Sequence, residues 1–200
     1  MVLFLIGVYM FWNLVAGAMG FFMPYVYETV GGLSNTQANI LQAVLWAFTA
    51  LAGYFGFALH GDKWNHRIFF CVGALMTLIS WVILAYVGMG WPALITFVTL
   101  WGISAGIGAQ AWYALWSTEL FPTKYRAGAQ GFMFFTVRGS AGIWSIVFPT
   151  ILTSMGFKAA GTLMIIFLAI SLIIGTIWTP KTRGKSLDEI TRERYGDKEK

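Results

Sequence analysis

Six apolar stretches, each long enough to cross a bilayer, govern what this chain can fold into. They lie near residues 3–26, 37–59, 67–88, 92–118, 126–153 and 158–178. A hydrocarbon core of about 30 Å requires about 20 helical residues at a rise of about 1.5 Å each. The runs are rich in Leu, Ile, Phe, Ala and Gly and lack the strict alternation of a membrane β-strand. Only 10% of the 200 residues are charged, against roughly 25% in soluble domains. The expected fold is an all-α integral membrane bundle of six antiparallel helices over 1–178, followed by a polar tail over 179–200.

Cations set the orientation. Eleven of the thirteen Lys and Arg residues fall in the 60–67 loop, the 119–126 loop or the tail, whereas Lys158 lies on the opposite side and Arg138 within a span. The positive-inside rule places the two loops, the tail and, with six spans, the N-terminus in the cytoplasm of a cell-membrane protein. The first helix begins at Met1 or Val2 without a preceding cation, unlike a secretory leader, and reads as a chain that starts within a longer protein. The single Cys71 excludes an internal disulfide.

Charge gathers at one hinge, STELFPTKYRAG from Ser117 to Gly128. Pro122 disfavours helical geometry at Phe121, ending the fourth helix there, and Thr123 is a candidate cap for the fifth. Glu119 then sits in the last turn of one helix and Arg126 in the first turn of the next, both opposed to the helix dipole. Asp62 precedes the third helix, for which Asn65 is a candidate cap, and Arg67 follows. Asp62, Arg67, Glu119 and Arg126 form either a gating charge network on one face or ordinary interfacial charges.

These residues carry a resemblance. STELFPTKYRA resembles the E-x-F-P-x-x-x-R-A hinge of sugar-porter-like members of the major facilitator superfamily, where it joins the tenth and eleventh helices. ALHGDKWNHR, from Ala58 to Arg67, is similar to the superfamily loop G-x-x-x-D-[RK]-x-G-R-[RK]: Asp62, Lys63 and Arg67 match, while Ala58, Asn65 and His66 replace Gly, Gly and Arg. TPKTRGKSLDEI, from Thr179 to Ile190, resembles P-E-T-K-G-x-S-L-E-E-I after the last helix, with Lys181 in place of the glutamate. The resemblance implies the C-terminal six-helix half of a twelve-helix transporter, partnered by an N-terminal six-helix half and working by alternating access, with proton coupling. In the family's seventh helix a glutamine pair contacts sugar; Trp12 and Asn13 stand there in this chain. The family's tryptophan bordering the sugar site corresponds to Trp112.

Polar groups deep in the spans are the candidate substrate ligands, because each is unfavourable in lipid and tends to face a cavity. Asn13, Gln110, Trp112 and Arg138 qualify, although Asn13 and Gln110 also suit interhelical hydrogen bonding and Trp112 ordinary packing. Arg138 lies about 18 Å along the fifth helix from Arg126, near the midplane. There it either contacts substrate, tilting the expectation from sugar or polyol toward an organic anion, or holds helix carbonyls or a carboxylate of the other half. Gly102 and Gly106 have small-xxx-small spacing for close helix contact. The tail offers SLDE, with Ser186 and Glu189 in capping-box spacing and Leu187 and Ile190 on one face.

Other classes fare poorly. No Walker-type phosphate loop is present, and His60, Asp62 and His66 belong to a charged loop, so neither metal nor cofactor is expected. The net charge of +5 lies along the cytoplasmic face, where anionic lipid rather than nucleic acid is its natural partner. No span carries a carboxylate or histidine near its midpoint, which argues against an intramembrane enzyme. A channel or a non-transporting membrane fragment is the alternative to a transporter.

Overall fold

In a computed structural model, which describes residues 1–196, the apolar runs become helices packed as hairpins. Helix α1 spans Val2–Thr29 and ends at a turn in which Gly32 adopts φ 67°, a conformation open to glycine at little strain. Ser34 then starts α2, Asn35–Ala58: its hydroxyl accepts from the Gln37 amide while the Gln37 side chain accepts from the Ser34 amide. The last part of α2, Ala52–Ala58, is π-helical. Asn65 caps α3, His66–Val87, accepting from the amides of Arg67 and Ile68 as its sequence position predicts.

Helix α4 covers Trp91–Glu119 and is broken at Gly108, where φ −95° and ψ −149° interrupt the segments Trp91–Ile107 and Ala109–Glu119. Helices α5, over 123–155, and α6, over 157–177, are joined only by Gly156 at φ 80°. The chain reverses there: the rings of Trp144 and Phe167, on opposite arms, lie 5.1 Å apart. Among the described residues, then, six apolar helices are long enough to span a membrane, with the expected boundaries met to within a few residues. The short α7, Leu187–Tyr195, follows the bundle and begins with the anticipated capping box of Ser186 and Glu189.

Two close seams hold the helices. Between α2 and α4, a Cβ on Gly102 would lie 2.8 Å from the Leu45 carbonyl oxygen, and one on Gly106 2.5 Å from that of Thr49 and 2.6 Å from the Gly53 nitrogen. Without a hydrophobic force between helices in lipid, such backbone approach supplies the dispersion contact that binds them. The expected role of these glycines is therefore met. Between α1 and α6, the Ser171 hydroxyl donates to the Val8 carbonyl at 2.8 Å, a bond across lipid-depth helices.

The buried core is aromatic, with Trp81, Trp101, Trp112, Trp116, Phe70 and Phe97 all fully enclosed. Outward faces carry Leu3, Phe135 and Ile146, each at least three-quarters exposed, which a surrounding bilayer accommodates. One capping expectation is corrected. Thr123 is itself the first helical residue of α5, and Pro122 occupies the cap position without any side-chain capping bond. Pro122 already has an extended ψ of 148°, so the turn into the helix occurs one residue earlier.

Candidate functional site

A cavity of about 290 Å³ opens on the face shared by α1, α2, α4 and α5. Helix α1 presents Trp12, Asn13, Gly17 and Phe21 to it, and the i, i+4 spacing of the last three keeps them on one side. Small side chains at Ala16, Gly17, Gly20 and Ala105 leave the space. Helix α4 contributes Trp101 before its break and Gln110 after it, so the interruption at Gly108 lets two segments of one helix address a single chamber. Helix α5 contributes Arg138.

Three of the four expected substrate ligands therefore converge: Asn13, Gln110 and Arg138 line the same wall. Asn13 is buried, and its Oδ1 has no hydrogen-bond partner. The indole nitrogens of Trp12 and Trp101 are likewise buried and unpartnered. Unpartnered indole nitrogens also occur at Trp81, Trp112, Trp116 and Trp144, away from this chamber, so what marks the chamber is the meeting of Asn13, Gln110 and Arg138 on one concave wall. Arg138 lies over the Phe134 ring, 5.0 Å from its centroid, and no carboxylate among the described residues pairs with it.

Trp112 stands apart from this cavity. Its ring is fully buried and wedged between Phe57, His66, Phe69 and Trp116, at centroid distances of 4.9 to 5.7 Å, and it does not reach the cavity. It lies half a turn away from Gln110 on the same short segment, so packing against α3 turns it from the chamber that Gln110 faces. The indoles on the wall are Trp12, Trp46 and Trp101. Sequence gives little sign of Trp101, because the Gly108 break hides its register with Gln110 and nine other tryptophans dilute any compositional signal.

The four charges expected at the opposite end are not joined by ion pairs among the described residues. Arg126 instead donates through Nη2 to the Phe121 carbonyl at 3.3 Å, while its Nε and the Glu119 Oε2 are buried without partners. Glu119 and Arg126 thus form no ion pair among the described residues, and the cause is local. The carbonyl of Phe121, in the hinge just beyond the end of α4, lies within reach, and Arg126 turns onto it. Asp62 and Arg67 remain exposed.

The tail fastens this end instead. Arg183 donates to the Lys63 carbonyl at 2.6 Å, Tyr195 donates to that of Leu120 at 2.9 Å, and Thr182 Oγ1 lies 3.4 Å from His66 Nδ1. Ile190 of α7 is buried, whereas Leu187, expected on the same docking face, is 47% exposed. His60 Nδ1 lies 2.9 Å from the Phe55 carbonyl oxygen and His66 packs on Trp112, so the two histidines serve separate local contacts.

The family model of the Major Facilitator Superfamily matches residues 2–197. Over 195 residues the chain is 46% identical to a minor myo-inositol transporter of Bacillus subtilis, covering 98% of this chain and 44% of that protein. It is 28% identical to a probable metabolite transport protein of the same organism over 59% of this chain and 24% of the relative. A facilitated trehalose transporter of Drosophila erecta is 25% identical over 94% of this chain and 23% of its own length. The chain thus spans less than half the length of these curated relatives.

Proposed function

Because the chain belongs to the Major Facilitator Superfamily, we propose that it forms one wall of a secondary transporter for a small polyhydroxylated metabolite, a sugar or polyol, carried by alternating access. The observation that supports this reading most directly is the chamber in which Asn13, Gln110 and Arg138 meet the indoles of Trp12 and Trp101. Apolar ring faces suit the C–H surfaces of a polyol, and the Asn13 and Gln110 amides and the Arg138 guanidinium suit its hydroxyls. Similarity to a myo-inositol transporter supports the same substrate class.

The chamber opens toward an uncovered face, with Gln110, Arg138 and Phe21 exposed. In this reading a second six-helix half covers that face, and rocking of one half against the other exposes the substrate alternately to each side of the membrane. In this reading the N-terminus and tail face the cytoplasm, an orientation that the distribution of cations supports. If transport is proton-coupled, the titrating acid lies outside this wall: the carboxylates bordering the spans, Glu28, Asp62 and Glu119, all sit at helix ends.

A second substrate class, an organic anion or acidic sugar, is favoured by one feature, the Arg138 guanidinium without a carboxylate on this wall. Counterflow by the full-length protein in proteoliposomes tests both. Labelled myo-inositol exchange that is lost in Asn13→Ala and Gln110→Ala supports a polyol. Exchange of a uronate but not of inositol, abolished in Arg138→Gln, establishes the anion. Failure of every variant to alter exchange of any solute removes the chamber from the transport path.

A further inference from the structure

A second pocket, of about 470 Å³, lies where the start of α3 meets the chain leaving α6. Arg67, Lys181, Arg183 and Lys185 line it together with Asn65, His66 and Thr179, and no acidic side chain does. Like charges gathered on one concavity repel, and the arrangement is favourable only with a counter-charge among them. Within the protein the near counter-charge is Asp62, which acts on His66 but does not line the pocket. Lys185 reaches outward to Glu193, and Arg183 is held by the Lys63 carbonyl. Arg67 and Lys181 have no side-chain hydrogen bond or ion pair among the described residues.

The sequence sharpens the point. Lys181 stands where the resembling tail pattern has glutamate, so a position suited to neutralising Arg67 here adds to its charge. The amides at the start of α3 do not supply the recognition, because Asn65 already accepts from two of them. A separate observation concerns His66: only 4% exposed, it lines the pocket, and its Nε2 is buried without a partner.

We propose that this pocket binds a phosphate group, with Arg67 and Lys181 as its principal charge partners, Arg183 fixed as a third donor and His66 Nε2 as the buried contact. Guanidinium and ammonium donors around a concavity match the several acceptor oxygens and the charge of a phosphoryl group. Ile177, at the end of α6, forms part of the rim, so the pocket borders the membrane-spanning surface. Both an anionic phospholipid headgroup and a soluble phosphate meet this chemistry. The site is independent of the substrate chamber and of any transport activity.

Thermal unfolding of the full-length protein in detergent, followed by tryptophan fluorescence at constant ionic strength, tests the site. Inorganic phosphate, short-chain phosphatidylglycerol and short-chain phosphatidylcholine are titrated separately. Stabilisation by phosphatidylglycerol alone among the three assigns a lipid headgroup, and stabilisation by inorganic phosphate assigns a free phosphate as a ligand. In either case Lys181→Glu raises the midpoint concentration at least about tenfold, the scale of exchanging a charge-assisted bond for repulsion. Lys181→Gln repeats the comparison without adding a carboxylate, and Lys124→Glu, on the same face but outside the pocket, leaves the midpoint unchanged. Equal loss in Lys124→Glu and Lys181→Glu, stabilisation by phosphatidylcholine equal to that by phosphatidylglycerol, or no response to any of the three overturns the proposal.

Discussion

Trp12 of α1 and Trp101 of α4 lie nearly parallel, with ring centroids 6.4 Å apart and 3° between their planes. Tyr9 continues the stack, 6.1 Å from Trp12 and 4.1 Å from Tyr113. Stacked rings at this spacing form a rigid wall that needs little further ordering on binding.

Replacing either indole by phenylalanine retains an aromatic wall and deletes one N–H. Trp12→Phe and Trp101→Phe are expected to raise the substrate midpoint roughly tenfold, the loss of about one hydrogen bond to a polar ligand, with the melting temperature nearly unchanged. Counterflow titration of full-length protein measures it. A fall in melting temperature with unaltered substrate affinity would make these tryptophans packing residues alone.

The α2–α4 seam predicts a sharp contrast between glycines. A Cβ at Gly106 meets backbone atoms at 2.5 and 2.6 Å, which cannot rotate away, whereas one at Gly128 meets nothing within 4 Å. Gly106→Ala is expected to destabilise the bundle by about 1–3 kcal/mol through overpacking, and Gly128→Ala to be neutral or slightly stabilising. Melting of the purified proteins in one detergent decides between equal and unequal effects.

Glu119 and Arg126 make no direct contact, so their substitutions should act independently. In a double-mutant cycle of Glu119→Gln and Arg126→Gln, the coupling measured by thermal stability is expected to stay below about 0.5 kcal/mol. Coupling well above that value would mean that the two charges pair in solution.

The tail helix should loosen in acid. The Ser186 amide and hydroxyl hold the exposed Glu189 carboxyl below the usual glutamate range, with desolvation opposing and Lys185 and Arg192 adding to the effect. A depressed carboxyl contributes order that is present above the ordinary glutamate pKa and is lost as pH falls through the lowered value. Amide protection across 186–195, corrected for the intrinsic pH dependence of exchange, is therefore expected to fall below about pH 4, from the reference pKa of a glutamate. Glu189→Gln, which cannot ionise, should show no such fall.

Much of the architecture is legible from residue type and order. Six apolar runs dictate six helices because no other backbone arrangement except a closed barrel satisfies its polar groups in lipid. Asn65, the Ser186–Glu189 pair and the Gly102–Gly106 spacing announce themselves because their physics is local or repeats along one helix face. Asn13, Gln110 and Arg138 stand out for a similar reason: polar groups at lipid depth require company.

What company they keep is a matter of packing between distant segments. The break at Gly108 decides that Gln110 faces the chamber and that Trp112, two residues on, is enclosed by Phe57, His66 and Phe69. Nothing in the residue spacing fixes that rotation, because it follows from how Gly73 of α3 approaches Gly108 and how the rings then fill the gap. Arg126 makes the same point at the other end, turning to a carbonyl of its own hinge rather than to Glu119. Charges and polar groups are inscribed in the chain, but their partners depend on helix rotation and axial shift, and these are set by side-chain volume across interfaces rather than by order along the sequence.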